Sequence, residues 1–531
     1  MTTGQAHIDG SILIGSRDIR GEQSFQAINP TTGAVLTTAF SEASMADVID
    51  ACALAEAAKT AFAGLHPDAR ANFIEAVAGA IQAIGEPLIE TAMAETGLPR
   101  PRLENERGRT TGQLRMFANE LRKGEWLDAT IDPALPDRAP PRADLRRFNV
   151  ALGPVAVFGA SNFPLAFSVA GGDTAAAFAA GCPVVVRGHP AHPATGELVA
   201  RAVRSAVQAC GLPEGVFSFL PGRAHEVGAA LVADPRITAV GFTGSRKGGL
   251  ALVEIARRRP QPIPVYAEMS SINPVVLMPA ALSARAEAIA AGFVGSLTLG
   301  AGQFCTNPGL VIACAGPDLD RFVAAAATAL AGVTPPAMLA PGIHAAFVAG
   351  VTALETNPAV QRVGTGAAGE DAPNRCSAAL FRTTAASFYL DPGLAEEVFG
   401  AAAVIVACAD MAEMARLITS LEGQLTATIQ LDPADEAAAA AILQLLAAKA
   451  GRVLANGWPT GVEVTQAMVH GGPFPATSDG RTTSVGTLAM ARFLRPVCLQ
   501  DIPDGLLPPP LRASNPWRIP RKIDDAWEPP K

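Results

Sequence analysis

The chain has 531 residues, 49% of them hydrophobic and 17% charged, which excludes a disordered or fibrous protein and implies about three core-forming units. With 41 basic against 49 acidic residues the formal charge is −8, and no block of like charge exists to grip nucleic acid or anionic lipid, so a small-molecule ligand is the expected partner. The 50 glycines and 43 prolines follow no period and fit a fold with many tight strand-to-helix turns.

The first thirty residues carry Asp9, Arg17, Asp18 and Arg20 without a sustained apolar run, so no secretory leader is read there. Residues 44–95 are Ala-rich and helical in pattern, and 99–125 read as an amphipathic, arginine-rich helix. Within it Arg109 and Gln113 are four apart and share a face. Pro133 to Pro141 marks a linker or an arm. From Val150 onward, short β-branched runs alternate with helical patterns: Val155–Phe158, Pro183–Val186, Val216–Phe219, Ile237–Phe242 and Ile263–Tyr266. Apolar strands separated by helices of 10–15 residues define a parallel sheet covered on both faces, the open α/β arrangement of nucleotide-binding domains. A second α/β unit is expected from Asn273 to about Gly457, with strands at Pro274–Met278, Leu310–Ala313 and Ala403–Val406. The last sixty residues are too rich in Gly, Pro and Thr to form a core alone, and are expected to wrap another surface.

Two stretches lack charge over a span that imitates a membrane helix, Phe148–Gly172 and Ala288–Pro317. Their glycines, prolines and side-chain amides fit buried segments of a soluble core instead. Eight widely spaced cysteines without a CxxC point to reduced thiols and a cytoplasmic setting. His189 and His192 have no nearby Cys or Glu with which to form a zinc shell, so no metal site is expected.

Gly364-Thr365-Gly366-Ala367-Ala368-Gly369 matches a dinucleotide fingerprint, but Glu370, Asp371 and Pro373 follow where a helix should begin, and no convincing strand precedes it, so it reads as a Gly-rich loop. Thr243-Gly244-Ser245 is better placed, where a strand ends and a helix N-terminus offers unpaired N–H groups. It is either a phosphate cradle or a plain N-cap at Ser245. Cys305 lies in Gly302-Gln303-Phe304-Cys305-Thr306-Asn307-Pro308-Gly309, an irregular turn that suits a nucleophile beside backbone N–H donors. The other seven cysteines read as inert thiols. Glu268 is expected at the carboxyl end of a strand, in an apolar wall that raises its pKa toward general-base work. Asn162, in Ala160-Ser161-Asn162-Phe163-Pro164, also falls at a strand end.

These motifs, with Glu397-Val398-Phe399-Gly400 and Asn456-Gly457, make the whole chain resemble the aldehyde dehydrogenase superfamily. It is most similar to the members acting on 2-oxoglutarate semialdehyde (2,5-dioxopentanoate), which are akin to NADP-dependent fatty aldehyde dehydrogenases. That closer likeness rests on the Cys305 segment, His189-Pro190-Ala191-His192-Pro193, Pro459–Val464, His470-Gly471-Gly472-Pro473, Arg481–Gly486 and Phe493–Val497.

The resemblance implies an aldehyde dehydrogenase-like fold: two open parallel α/β domains plus a small β oligomerisation arm. The NAD(P)-binding domain would span 1–130 and 148–272, the catalytic domain 273–470, and the arm and tail 131–147 and 471–531. It implies a Cys305 nucleophile, an oxyanion held by Asn162 and the Cys305 N–H, and Glu268 as base. Thr243, Gly244 and Ser245 would border the cofactor, Glu397 would bind the nicotinamide ribose, and Phe399 would pack nearby. Arg187 stands where the family usually has lysine, and Pro190 where many NAD-preferring members have an acid, which favours NADP, or use of both, with Arg187 and Arg223 as phosphate partners; otherwise Arg223 is a solvated loop charge. Arg109, with Gln113 beside it, is the candidate for a substrate carboxylate, or else forms an interdomain salt bridge. Phe163 and Phe167 either line the tunnel or belong to the core. A homodimer or homotetramer is implied. The competing functions are a medium- or long-chain aldehyde dehydrogenase and a cofactor-independent thiol esterase.

Overall fold

The computed structural model describes residues 7–334, 336–368 and 372–528. Five parallel strands, Val265–Glu268, Ala239–Thr243, Val155–Phe158, Val184–Arg187 and Phe217–Leu220, lie side by side in that order. The N-terminal pair Ile12–Ile14 and Arg17–Ile19 extends the sheet as an antiparallel hairpin. Alternate residues face opposite layers. Val155, Val157, Val184 and Val186 enter one buried cluster, and Ala156, Val185 and Val240 enter the other. Each fully buried valine contributes about 1.5–3 kcal/mol of hydrophobic stabilisation, which explains why these runs read as unbroken apolar strands.

Val155–Phe158 is the first of the five parallel strands in the chain yet lies in their middle, so strand order reverses beside it, the usual place for a ligand in an open α/β sheet. The register brings Arg187, Phe158, Thr243 and Glu268 to one edge, because Phe158 pairs with Arg187 and Thr243 with Glu268.

The second sheet runs Gln361–Thr365, Ala379–Thr384, Ala402–Cys408, Leu310–Cys314, Pro274–Leu277, Gln424–Gln430, Ala450–Ala455 and is parallel except for its first strand. That strand corrects the sequence reading of the Gly-rich motif. Gly364 and Thr365 lie in an antiparallel edge strand, while Gly369 falls outside the described residues. No helix begins between 372 and 384, so the segment still lacks the strand-to-helix turn a dinucleotide needs.

A five-stranded sheet, Leu494–Gln500, Leu145–Ala151, Thr130–Asp132, Arg521–Ile523 and Ala526–Glu528, forms the arm. Pro133–Pro141 is the loop between two of its strands. Residues 470–484 do not extend away with it. They run back along the edge of the first sheet, where Met269 N–H donates to Ala476 O at 2.8 Å and Ser478 N–H to Ala267 O at 3.0 Å. Among the described residues no helix is long and apolar enough to cross a membrane.

Candidate active site

Cys305 follows a turn that only glycine allows. Gly302 has φ +71°, and a Cβ there would collide with Gly400, so the Cys305 loop packs backbone to backbone against the Glu397–Gly400 segment. Asn273 fixes the loop from below, its Nδ2 donating to the Cys305 and Asn307 carbonyls at 2.9 Å each. Gln424 Oε1 in turn accepts the Ile272 and Asn273 amides. Among the described residues the Cys305 N–H has no acceptor, which leaves it available to a developing oxyanion.

Asn162, from the loop after Val155–Phe158, also keeps a donor to spare. One of its two amide N–H groups donates to Gln303 O at 3.0 Å, leaving the other uncommitted. Its loop hangs from the helix Arg100–Lys123. Glu106, buried and paired with Arg102, accepts the Leu165 and Ala166 amides at 2.9 Å, and Arg102 Nη2 donates to Asn162 O at 3.4 Å. His192 Nε2 donates to the Ala160 carbonyl at 3.0 Å.

Glu268 is the last residue of its strand, and its side chain is buried. It meets His470, whose Nε2 is 2.8 Å from Oε1, and Ser484, whose hydroxyl donates to Oε2 at 2.6 Å. The same His470 nitrogen lies 3.4 Å from Cys305 Sγ. This corrects the expected upward shift of Glu268. Burial does push the carboxyl up, but the charge and N–H of His470, the Ser484 hydroxyl and the Cys305 thiol outweigh it and hold the group below its usual range. The Cys305 thiol moves the other way, raised well above its ordinary value by burial first and by the Glu268 charge second. The ligand atoms of Glu268, Cys305 and His470 lie within 4.8 Å of one another, a set chemically able to hold a metal ion. Local spacing in the sequence gives no view of this cluster, and His470 in particular lies too far along the chain for any local pattern to join it to Cys305 and Glu268.

Around this centre lie the other expected residues. Thr243 ends its strand. Gly244, exposed beside it, donates its N–H to Glu268 O at 3.1 Å, tying this turn to the Glu268 strand end. Ser245 is a true N-cap, its Oγ accepting Gly248 N–H at 3.2 Å. Gly244 and Ser245 are both exposed at a helix N-terminus, so the cap does not block an approaching diphosphate. Glu397 and Phe399 line an open cleft against Gly302, Phe304 and Asn307. Burial pushes the Glu397 carboxyl up to about 7. These residues fit a nicotinamide dinucleotide: an exposed helix N-terminus for its phosphates, and a cleft with a carboxylate for its ribose.

Arg187 and Arg223 behave differently. Three of the five N–H groups of Arg187 are committed to the carbonyls of Gly188, Leu220 and Ala224 at 3.2 Å. Arg223 is exposed, over the Phe25 ring and 3.6 Å from Glu42.

On the substrate side Phe163, Phe167 and Phe304 form a buried aromatic cluster. Arg109 lies over it, its guanidinium carbon 5.1 Å from the Phe167 centroid and 5.6 Å from that of Phe163. Its Nε and Nη2 are buried and, among the described residues, have no hydrogen-bond partner. Among the described residues no carboxylate forms a salt bridge with it. Its charge reaches Cys305, lowering the thiol's pKa against the larger opposing effects. Gln113 is buried one turn on, its amide packed near Gly172.

A cysteine with uncommitted N–H donors around it and a strand-end carboxylate, set beside an open parallel sheet, fit a thiol-dependent oxidoreductase. The chain belongs to the aldehyde dehydrogenase family, whose model matches residues 18–473. It is 57% identical over 526 residues to alpha-ketoglutaric semialdehyde dehydrogenase 2 of Azospirillum brasilense, covering 98% of this chain and 100% of the relative. It is 47% identical over 515 residues to alpha-ketoglutaric semialdehyde dehydrogenase of Acinetobacter baylyi, covering 96% and 97%. Solved structures share the fold: betaine aldehyde dehydrogenase of Staphylococcus aureus at TM-score 0.80 and 17% identity, covering 93% of this chain and 95% of that one, and aldehyde dehydrogenase C of Pseudomonas syringae, complexed with NAD+ and octanal, at 0.78 and 21%, covering 92% and 96%.

Proposed function

We propose that this enzyme oxidises 2-oxoglutarate semialdehyde (2,5-dioxopentanoate) to 2-oxoglutarate, with NAD or NADP as hydride acceptor. The observation that carries the substrate is Arg109. A buried guanidinium with unpartnered donors is costly unless an anion completes it, and a 2-oxo carboxylate would supply two oxygens for its fork. The names of the relatives in Azospirillum and Acinetobacter support the same aldehyde.

The Cys305 sulfur bonds to the aldehyde carbon, and the thiol proton passes to the Glu268–His470 pair. The new oxyanion accepts from the free Asn162 amide N–H and the Cys305 N–H. Thr243, Gly244, Ser245 and Glu397 are the residues that would hold a nicotinamide dinucleotide, which would supply the hydride acceptor for that carbon. Glu268, once it has released that first proton to solvent, removes a proton from water as it attacks the thioester, and the Cys305 thiolate leaves and is reprotonated to the resting thiol.

Arg109→Ala is expected to raise KM for 2,5-dioxopentanoate by roughly 10–100-fold, the worth of a hydrogen-bonded charge pair, while hexanal is oxidised as before. Steady-state kinetics with both aldehydes check this, and equal losses on both would remove Arg109 from the substrate site. A native preference for hexanal would favour the medium- or long-chain reading, to which the three phenylalanines would also be suited.

Two sheet edges, Leu494–Gln500 of the arm and Ala450–Ala455 of the second sheet, support assembly into a homodimer or homotetramer, because an unpaired edge seeks a strand. Eight free cysteines support a reducing, cytoplasmic setting.

A further inference from the structure

At the carboxyl ends of Val184–Arg187 and Phe217–Leu220 stands a carboxylate that the chemistry above does not use. Glu42 arrives from the connection between the strand Val35–Ser41 and the helix Met45–Ala63. Ala43 N–H fixes that connection by donating to Pro221 O at 3.0 Å. The Glu42 side chain is 14% exposed, and its Oε2 accepts the Arg223 N–H at 2.7 Å. Gly222 has φ +139°, and a Cβ there would collide with the Glu42 carboxylate and lie 3.4 Å from Arg187 Nη2. Glu42 and Arg187 therefore meet over one stretch of bare backbone at the strand ends.

In an open sheet with its ligand at the switch point, the end of the second strand faces the adenosine ribose, and a carboxylate there accepts from the ribose hydroxyls. Here the second strand runs into Arg187-Gly188-His189-Pro190 and carries no acid of its own. We propose that Glu42, from a distant segment, supplies this ribose-reading carboxylate and makes the enzyme select NAD over NADP. The inference rests on the nicotinamide-dependent reading above and sharpens it. A 2′-phosphate brings about −1.5 to −2 charges against a carboxylate held by backbone. The cations that would offset it are poorly placed. Arg187 has most of its donors on carbonyls, and Arg223 is 63% exposed, where solvent screens a charge strongly.

The test is calorimetric titration of the full-length enzyme with NAD+ and NADP+, alongside kcat/KM for each. The native protein is expected to bind NAD+ about tenfold or more tightly than NADP+, from the penalty of facing like charges. Glu42→Gln is expected to shrink that ratio at least about tenfold, chiefly by tightening NADP+. Glu42→Asp keeps the charge and is expected to keep the preference, which separates charge from packing. A native preference for NADP+, or a ratio unchanged in folded Glu42→Gln, overturns the proposal. A protein that binds neither dinucleotide defeats the nicotinamide reading itself.

Discussion

Replacing Glu268 with glutamine is expected to cut steady-state aldehyde oxidation by roughly 10²–10⁴-fold while making Cys305 easier to alkylate at neutral pH. The two effects move in opposite directions because the carboxylate does two things. As a base it receives a proton at attack, gives it up to solvent, and receives another when water enters. As a buried charge against Cys305 it holds the thiol's pKa up, second only to burial. Glutamine keeps the shape and removes the charge, so the thiol pKa falls, the thiolate fraction at neutral pH rises, and the midpoint of the alkylation profile moves to lower pH. Iodoacetamide inactivation rates between pH 6 and about 10, a range that brackets an unperturbed thiol, would show it. An unchanged or higher midpoint would assign the thiol's shift to burial alone.

That balance of charge was only partly legible in the sequence. Cys305, Glu268 and Asn162 could be found because each sits at a local break, a glycine turn or a strand end, where a polar residue in an apolar stretch stands out. The five parallel strands were legible for a related reason: buried on both faces, they read as continuous apolar runs. Gln424–Gln430 was not, since Gln424, Thr426, Thr428 and Gln430 are all buried and resemble surface residues to any hydropathy pattern. Their burial serves the site, because Gln424 and Thr426 bond the Ser271–Asn273 turn that supports the Cys305 loop. The three-residue strands Ile12–Ile14 and Arg17–Ile19 are too short to show a period. Arg109 could be picked from its spacing on a helix, whereas Glu106 on the same helix gave no sign that it would hold the Asn162 loop. His470 was hidden by distance, 165 residues from Cys305 and 202 from Glu268. Only the return of residues 470–484 along the sheet edge brings the three together, and no sequence period encodes that return.

His470 sets the state of the base, and its removal is expected to move the acid limb of the pH–rate profile to higher pH. In the native protein the Glu268 carboxyl is held below its usual range because its partners outweigh burial, and His470 contributes both a charge and a hydrogen bond to that balance. His470→Ala deletes both and leaves the burial, so the carboxyl pKa rises toward neutrality. Below that new value Glu268 is protonated and cannot take a proton, so turnover falls on the acid side and recovers as pH rises. A shift of one pH unit corresponds to about 1.36 kcal/mol of lost differential interaction, and at a fixed pH below the new limb it costs about tenfold in rate. Glutamine places an N–H near the position of Nε2 but carries no charge, so His470→Gln is expected to return only the smaller, hydrogen-bond part of the shift. The alanine variant also loses packing against Phe167, whose ring centroid is 6.2 Å from that of His470. Packing alone would lower kcat evenly across the pH range. A profile of unchanged shape in His470→Ala would therefore place His470 in the core and leave Ser484 as the side chain that keeps Glu268 ionised.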